Sequence, residues 1–285
     1  MQDIFQRELD FLTTDKGKED ILHFDVPESL QPYLGNIAKQ TQVTIAARPN
    51  TGKTTFALGL AVDYAMKHPD KKVILFTLEV AKDKLMHKVL AYAGNINSKS
   101  IKHKQLTEEQ AHYCVENLKE FDRNNNLRLY DIEDIKHSIQ NLAAILKKEN
   151  EEGPIDVVFL DYIQILPIMN RDYYTNLASF CIILHDLMKH YNFVLFSLSQ
   201  INGDSDKRED RRPMSADIAG TSQILKGSDI VLILHDDTHF THVESNPIIR
   251  RLSVDCTKNR DDAFGQAYVL MNFSTGRLYN VEGGN

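Results

Sequence analysis

Thr44-Ile45-Ala46-Ala47-Arg48-Pro49-Asn50-Thr51-Gly52-Lys53-Thr54-Thr55 is the stretch on which the fold of this chain turns. The apolar run Val43 to Ala47 predicts a buried strand, and Phe56-Ala57-Leu58-Gly59-Leu60-Ala61 predicts the start of an apolar-faced helix. Between them a tight turn ends in Gly-Lys-Thr, the phosphate-binding pattern G-x-x-x-x-G-K-S/T with Ala47 in place of the first glycine. In such a turn successive backbone N–H groups and the positive end of the helix dipole converge on an anion. Lys53 adds a point charge for the β- and γ-phosphates, and the Thr54 hydroxyl is a ligand for Mg²⁺. Gly52 keeps a Cβ out of the way of the phosphates. Ala47 is acceptable wherever its φ is negative. Arg48, Pro49, Asn50, Thr51, Gly52, Lys53, Thr54 and Thr55 are therefore the expected cradle for the phosphates of a nucleotide, with Mg²⁺ beside them.

The 285 residues suit one large α/β domain with appendages rather than two full domains. Hydrophobic residues make up 42% and charged ones 26%, a globular balance that excludes wholesale disorder. The net charge of −7 argues against simple electrostatic coating of DNA, though not against a local basic channel. Cys114, Cys181 and Cys256 are far apart and odd in number, as expected of buried free thiols in a reducing cytoplasm. No run of 18 or more apolar residues and no secretory signal occurs, so no membrane partner is expected.

Residues 1–40 read as an N-terminal helix on a tether, and 41–285 as the main domain. Ile4, Phe5, Leu9 and Leu12 share one helical face, which must dock on the body or on a neighbouring subunit. Beyond the loop, strands are predicted at Lys72–Thr77, Leu127–Tyr130, Ile155–Asp161, Phe193–Leu198, Asp229–Leu234 and Ile249–Thr257, with a last hairpin at Ala267–Phe273 and Arg277–Val281. Helices at 54–67, 81–93, 135–149 and 174–190 separate them, and Thr107-Glu108-Glu109-Gln110 opens another. This alternation predicts a mostly parallel twisted sheet flanked by helices, with an antiparallel C-terminal edge.

Ligands in such sheets bind at the carboxyl ends of the strands. Asp161 stands there after four apolar residues, as expected of the carboxylate that holds Mg²⁺. Glu79 ends a neighbouring strand and suits the activation of a water, unless it only complements the dipole of the next helix. Gln200, neutral and hydrogen-bonding, suits sensing of a γ-phosphate. Lys258 and Arg260 offer the positive charge that phosphoryl transfer needs on the equatorial oxygens, or else form a solvated turn. His235 to His242 read as a polar loop rather than a metal site, and Lys207 to Arg212 as a charged surface loop.

Ala47 to Leu58, Phe76-Thr77-Leu78-Glu79, Leu160-Asp161-Tyr162-Ile163-Gln164, Leu198-Ser199-Gln200-Ile201-Asn202, Arg212-Pro213-Met214 and Lys258-Asn259-Arg260 fall in order. Together they resemble the motor domain of DnaB-type replicative helicases, over about residues 43–281. The resemblance implies a RecA-like P-loop NTPase core in a homohexameric ring that moves 5′→3′ on single-stranded DNA with ATP. It implies a catalytic carboxylate at Glu79, Mg²⁺ at Asp161, γ-phosphate-to-DNA coupling at Gln200, and a finger at Lys258 and Arg260 that acts on the adjacent subunit. It further implies primase, a helicase loader or other replisome proteins as partners, in the cytoplasm of a bacterial or phage-infected cell.

Two departures from the family stand out. Only about 40 residues precede the core, so the collar domain is expected to be missing, as in a minimal phage or plasmid version. The DNA-facing turn has Ala219-Gly220-Thr221-Ser222-Gln223 where the family has an Arg-Glu-Ser-Gly-like sequence. Backbone amides of Ala219, Gly220, Thr221 and Ser222, with Lys226 nearby, would still bind phosphates without reading bases. Arg171, between Met169 and two tyrosines, is a second DNA candidate, its rings either stacking on bases or capping the next helix. A filament-forming RecA-type recombinase and an ATP-gated loader or regulatory protein remain the alternatives.

Overall fold

The computed structural model describes residues 20–161, 163, 173–202, 212–218, 221–236, 248–260 and 264–281. A short hairpin, β1 (Ile21–His23) and β2 (Asn36–Ala38), leads into β3 (Gln42–Ala47), α1 (Lys53–Lys67), β4 (Val73–Thr77) and α2 (Lys82–Gly94). Next come α3 (Ser98–Lys102), α4 (Glu108–Asn124), β5 (Leu127–Asp131), α5 (Ile132–Ile135), α6 (Ile139–Glu152) and β6 (Val157–Asp161). The chain continues with α7 (Tyr173–Tyr191), β7 (Val194–Gln200), α8 (Thr221–Gly227), β8 (Ile230–His235), β9 (Ile249–Asn259), β10 (Gly265–Asn272) and β11 (Leu278–Asn280).

All six residues of β3 are buried, because its uncharged sequence QVTIAA lies in the middle of the sheet with helices over both faces. The strand order is β11-β10-β9-β8-β3-β7-β6-β4-β5. From β8 to β5 neighbours run parallel, and β9, β10 and β11 form an antiparallel edge, as the alternation of elements predicts. Alternate side chains of each strand point to opposite faces. Val43, Ile45, Leu75, Phe159 and Phe196 pack on one face with α1 and α2. Ala46, Ile74, Val158, Leu195 and Ile233 pack on the other, against Leu142 and Leu146 of α6 and Leu184 and Met188 of α7.

Two features differ from the sequence reading. Residues 21–38, within the stretch expected to be tether, belong to the packed body, because Leu22, Phe24, Leu30, Leu34 and Ile37 all join the core. Phe24 lies 4.6 Å from Tyr64 of α1 and 5.3 Å from Phe196 of β7, ring centre to ring centre. Ser29 and Glu28 also bond to Tyr268 and Asn280 of the C-terminal edge. The helix expected over 135–149 starts only at Ile139, after a short helix (Ile132–Ile135) that ends where Lys136 and His137 take φ of 47° and 55°. Asp131 caps the first and Ser138 the second, and such side chains favour a helix start over a helix interior. The helix read at residues 2–12 lies outside the described residues.

Replacing Phe24 with alanine should cost about 3–5 kcal/mol in urea unfolding. A loss below about 1 kcal/mol would show that the 21–38 hairpin is not part of the cooperative body.

Candidate functional site

Ala47 is the last residue of β3, paired with Leu234 on one side and Gln200 on the other, which explains why a small non-glycine residue serves there. The chain then reverses through Asn50 (φ 64°) and Gly52 (φ 95°) into α1, whose Phe56 N–H bonds to the Gly52 carbonyl at 2.8 Å. Gly52 has a second reason to be glycine besides access for phosphate. A Cβ there would lie 2.4 Å from Cε of Met271 and 2.7 Å from the Phe273 ring. The antiparallel edge thus props the loop from behind. Arg48 is buried, with Nη1 3.4 Å from Nδ1 of His235.

The acid at the end of β6 meets this loop directly. Thr54 donates its hydroxyl to Oδ2 of Asp161 at 2.6 Å, and Lys53 Nζ lies 3.8 Å from Oδ1. Asp161 is 4% exposed, and its Oδ1 is buried without a hydrogen-bond partner among the described residues. Burial lowers the pKa of the Lys53 ammonium, while the carboxylates of Asp161 and Glu79 oppose that shift. Thr77 pairs with Asp161, so Glu79 emerges just past the end of β4, exposed at the mouth of the same site. Gln200 stands opposite Ala47 at the end of β7. The Ile201 N–H bonds to the Ala47 carbonyl at 3.1 Å, and Ile201 bridges to Ile218. Lys53, Thr54, Asp161, Glu79 and Gln200 are thus gathered at the carboxyl ends of the parallel strands.

Lys258 and Arg260 are not. Asn259 is level with Ile230, which is level with Val43, so both cations sit at the amino end of the sheet. The four residues from Val43 to Ala47 put them about 13 Å from the loop along the strands. Lys258 Nζ donates to the carbonyls of Leu225 (2.6 Å) and Ser228 (2.5 Å) at the C-terminal end of α8. Burial and Arg260 lower the pKa of the Lys258 ammonium, with Asp229 opposing. Arg260 pairs with Asp229 at 2.8 Å and donates to the Lys226 carbonyl at 3.2 Å. Lys226, a DNA candidate, is exposed on the last turn of α8 beside Arg260. Thr221 and Ser222 begin that helix, and Arg171, Ala219 and Gly220 lie outside the described residues.

Sequence reasoning missed several residues beside the loop. Lys88 of α2 feels the charges of Asp161 and Glu79, and burial lowers its pKa; its place between the buried Leu85 and Val89 was the available signal. The Arg250 guanidinium lies 3.4 Å above the Phe273 ring and pairs with Asp236 at 2.8 Å. Arg250 and Phe273 line a recess of about 170 Å³ with Asn97, Ser98 and Lys99. His235 and Asp236, read as part of a polar loop, are 8% and 1% exposed. Arg212, read as part of a charged surface loop, grips Asp255 through two bonds of 3.0 and 3.1 Å. The three cysteines are buried free thiols, as expected.

A phosphate-binding loop after a central parallel strand, an acid on a strand close by and helices over both faces define a RecA-like nucleotide-binding domain. The DnaB-like helicase C terminal domain family matches residues 28–280, and the chain belongs to that family. It is 24% identical to the replicative DNA helicase DnaB of Buchnera aphidicola (subsp. Acyrthosiphon pisum) over 259 residues, 90% of this chain and 55% of that protein. It is 25% identical to the replicative DNA helicase DnaC of Bacillus subtilis over 243 residues, 84% of this chain and 52% of that one. Thus it spans about half the length of these relatives. Among solved structures, an isolated ATPase domain superposes with a TM-score of 0.75 at 26% identity, covering 86% of each chain. A DnaB-like replicative helicase, described with its interactions with primase, gives 0.75 at 25% identity, covering 86% of this chain and 58% of that one. No helix among the described residues is long and apolar enough to cross a membrane.

Gly52→Ala should destabilise the protein by about 1–3 kcal/mol, since alanine must accept a left-handed φ and displace Met271 or Phe273. Unchanged denaturation midpoints would show that the edge does not fix the loop.

Proposed function

We propose that this chain is the motor of an ATP-driven replicative DNA helicase, working as a homohexameric ring that moves 5′→3′ on single-stranded DNA. The observation that carries this reading is the separation of its cations. The phosphate loop with Asp161 lies at one end of the sheet, and Lys258 and Arg260 lie at the other. A head-to-tail array of copies brings the cations of one subunit to the phosphates of the next, and such an array forms a ring where its rotation closes. Each ATP site is then shared between two subunits.

Lys53 and the N-terminal amides of α1 hold the phosphates, and Arg48, Pro49, Asn50, Thr51 and Thr55 complete the cradle. The Thr54 hydroxyl and the remaining Oδ1 of Asp161 form an oxygen donor set that would hold Mg²⁺. Mg²⁺ there supplies positive charge to the β- and γ-phosphates. Glu79, at the open mouth, orients and deprotonates the attacking water. Lys258 and Arg260 reach the γ-phosphate of the neighbouring subunit, where a finger is worth about 10³–10⁵ in rate. The recess lined by Arg250 and Phe273, whose ring also contacts Gly52 of the loop, is the candidate seat of the base. Gln200 reports the state of the γ-phosphate through Ile201 and its bridge to Ile218, which precedes the DNA candidates Ala219, Gly220, Thr221 and Ser222. Lys226 and Arg171 add charge for the backbone of the strand. A primase or a helicase loader is the expected protein partner, in the cytoplasm of a bacterial or phage-infected cell.

Forked DNA with a 5′ tail should be unwound with ATP and Mg²⁺, and Lys53→Ala should abolish unwinding. Hydrolysis that DNA does not stimulate, with no strand separation, would overturn the motor reading. Mixing Arg260→Ala with Lys53→Ala subunits should restore part of the hydrolysis that each lacks alone. Mixed rings as inactive as their components would rule out action across the interface.

A further inference from the structure

Arg260 does not project freely from the sheet. It leaves β9 beside the turn between α8 and β8, and at that turn stands Asp229, a residue none of the roles above uses. Asp229 is clamped to the body on several sides. Its N–H donates to the Gln42 carbonyl at 2.8 Å, and its Oδ2 accepts the Gln42 N–H at 2.8 Å, two reciprocal bonds to the first residue of β3. Its own carbonyl accepts the Arg260 N–H at 3.2 Å. The preceding Ser228 is fixed as well, its hydroxyl 2.7 Å from that of Thr44 and bonded to the Ile224 carbonyl at 2.7 Å. The oxygen left over, Oδ1, holds Arg260 Nη1 at 2.8 Å. The Asp229 side chain is 15% exposed and that of Arg260 52%. A rigid, mostly buried carboxylate therefore grips one nitrogen of a guanidinium and the Lys226 carbonyl takes another, while half of the arginine side chain stays exposed.

We propose that Asp229 is the positioning residue of the finger, aiming Arg260 at the phosphate bound by the adjacent subunit. This rests on the reading of Arg260 as a group that acts between subunits. An arginine at the end of a strand has several soft torsions, and a misplacement of 1 Å can cost about 100-fold in rate. A planar guanidinium held at one nitrogen by a fixed carboxylate, and at another by the Lys226 carbonyl, loses most of that freedom before the phosphate arrives. The grip thereby contributes preorganisation to the transition state. Asp229 touches no substrate and works only through Arg260.

The test compares ATP turnover by assembled rings of wild type, Asp229→Asn, Arg260→Ala and the double variant. Asparagine keeps an acceptor for the Gln42 N–H and removes the charge that holds the guanidinium. We expect Asp229→Asn to lower kcat about 10- to 100-fold with KM for ATP unchanged. The double variant should be no slower than Arg260→Ala alone. Added Lys53→Ala subunits should restore turnover to Asp229→Asn subunits, because they offer an intact Asp229–Arg260 pair to the neighbour's loop. Wild-type turnover by Asp229→Asn, losses that multiply in the double variant, or no restoration in mixed rings would each overturn the proposal. A folding defect that spreads through β3 to the phosphate loop is not restored across the interface, so it counts against the proposal. Wild-type turnover by Arg260→Ala would instead remove the finger reading itself, which separates the two failures.

Discussion

Asp161 carries a carboxylate to a depth where only 4% of the residue meets solvent, and most of this domain can be understood from how that charge is accommodated. An isolated carboxylate so deep would be far too costly. Thr54 supplies a hydrogen bond and Lys53 a charge, and both stand there because β3 and β6 run parallel on either side of β7. The same geometry leaves Oδ1 without a hydrogen-bond partner among the described residues. The group that holds the loop against the sheet is thus also the group with an oxygen left to give. Lys53 shares the compromise, since burial pulls its pKa down while Asp161 and Glu79 push it back up. A basic side chain held in so dry a place gains from any further anion that reaches it.

The two ends of the sheet divide the work. At the carboxyl ends, strand termini converge on a small volume with polar groups from α1, β4, β6 and β7. At the amino ends, the backbone carbonyls of α8 and the carboxylate of Asp229 hold Lys258 and Arg260. Near the amino ends a buried line of hydroxyls, Ser197, Thr44 and Ser228, crosses the strands, each step 2.7 Å. All three residues are fully buried, and each hydroxyl satisfies its neighbour. They fix the register of β3, β7 and the start of β8 at the point where the finger is anchored.

Much of this was legible in the sequence, for identifiable reasons. Val43 to Ala47 and the Gly-Lys-Thr turn announced themselves because strand, loop and helix N-terminus are contiguous, so one local pattern holds the whole element. Asp161 was legible because four apolar residues precede it and nothing else in β6 is charged. The strands of the antiparallel edge followed from apolar runs separated by a Ser-Thr-Gly turn. What was missed depends on groups brought together from afar. Arg250, Phe273 and Asp236 form one cluster from three separate stretches, and no local period marks them. The hairpin at 21–38 escaped because its strands are three residues long and its buried positions alternate with polar ones. The break at Lys136 and His137 was hidden by apolar spacing that continues past it, while the capping residues Asp131 and Ser138 carried the contrary signal.

The contact between Gly52 and the antiparallel edge has a consequence for how the protein is made. Met271 and Phe273 stand behind the phosphate loop, and Glu28 and Ser29 join the start of the body to that same edge. On the ribosome the residues that brace the loop emerge long after the loop itself. Domains fold as units during synthesis, and this one holds its own start open until its last strands arrive. The nascent chain therefore carries a phosphate loop without its native support until β10 has been made, and competence to hold nucleotide then comes as a single event.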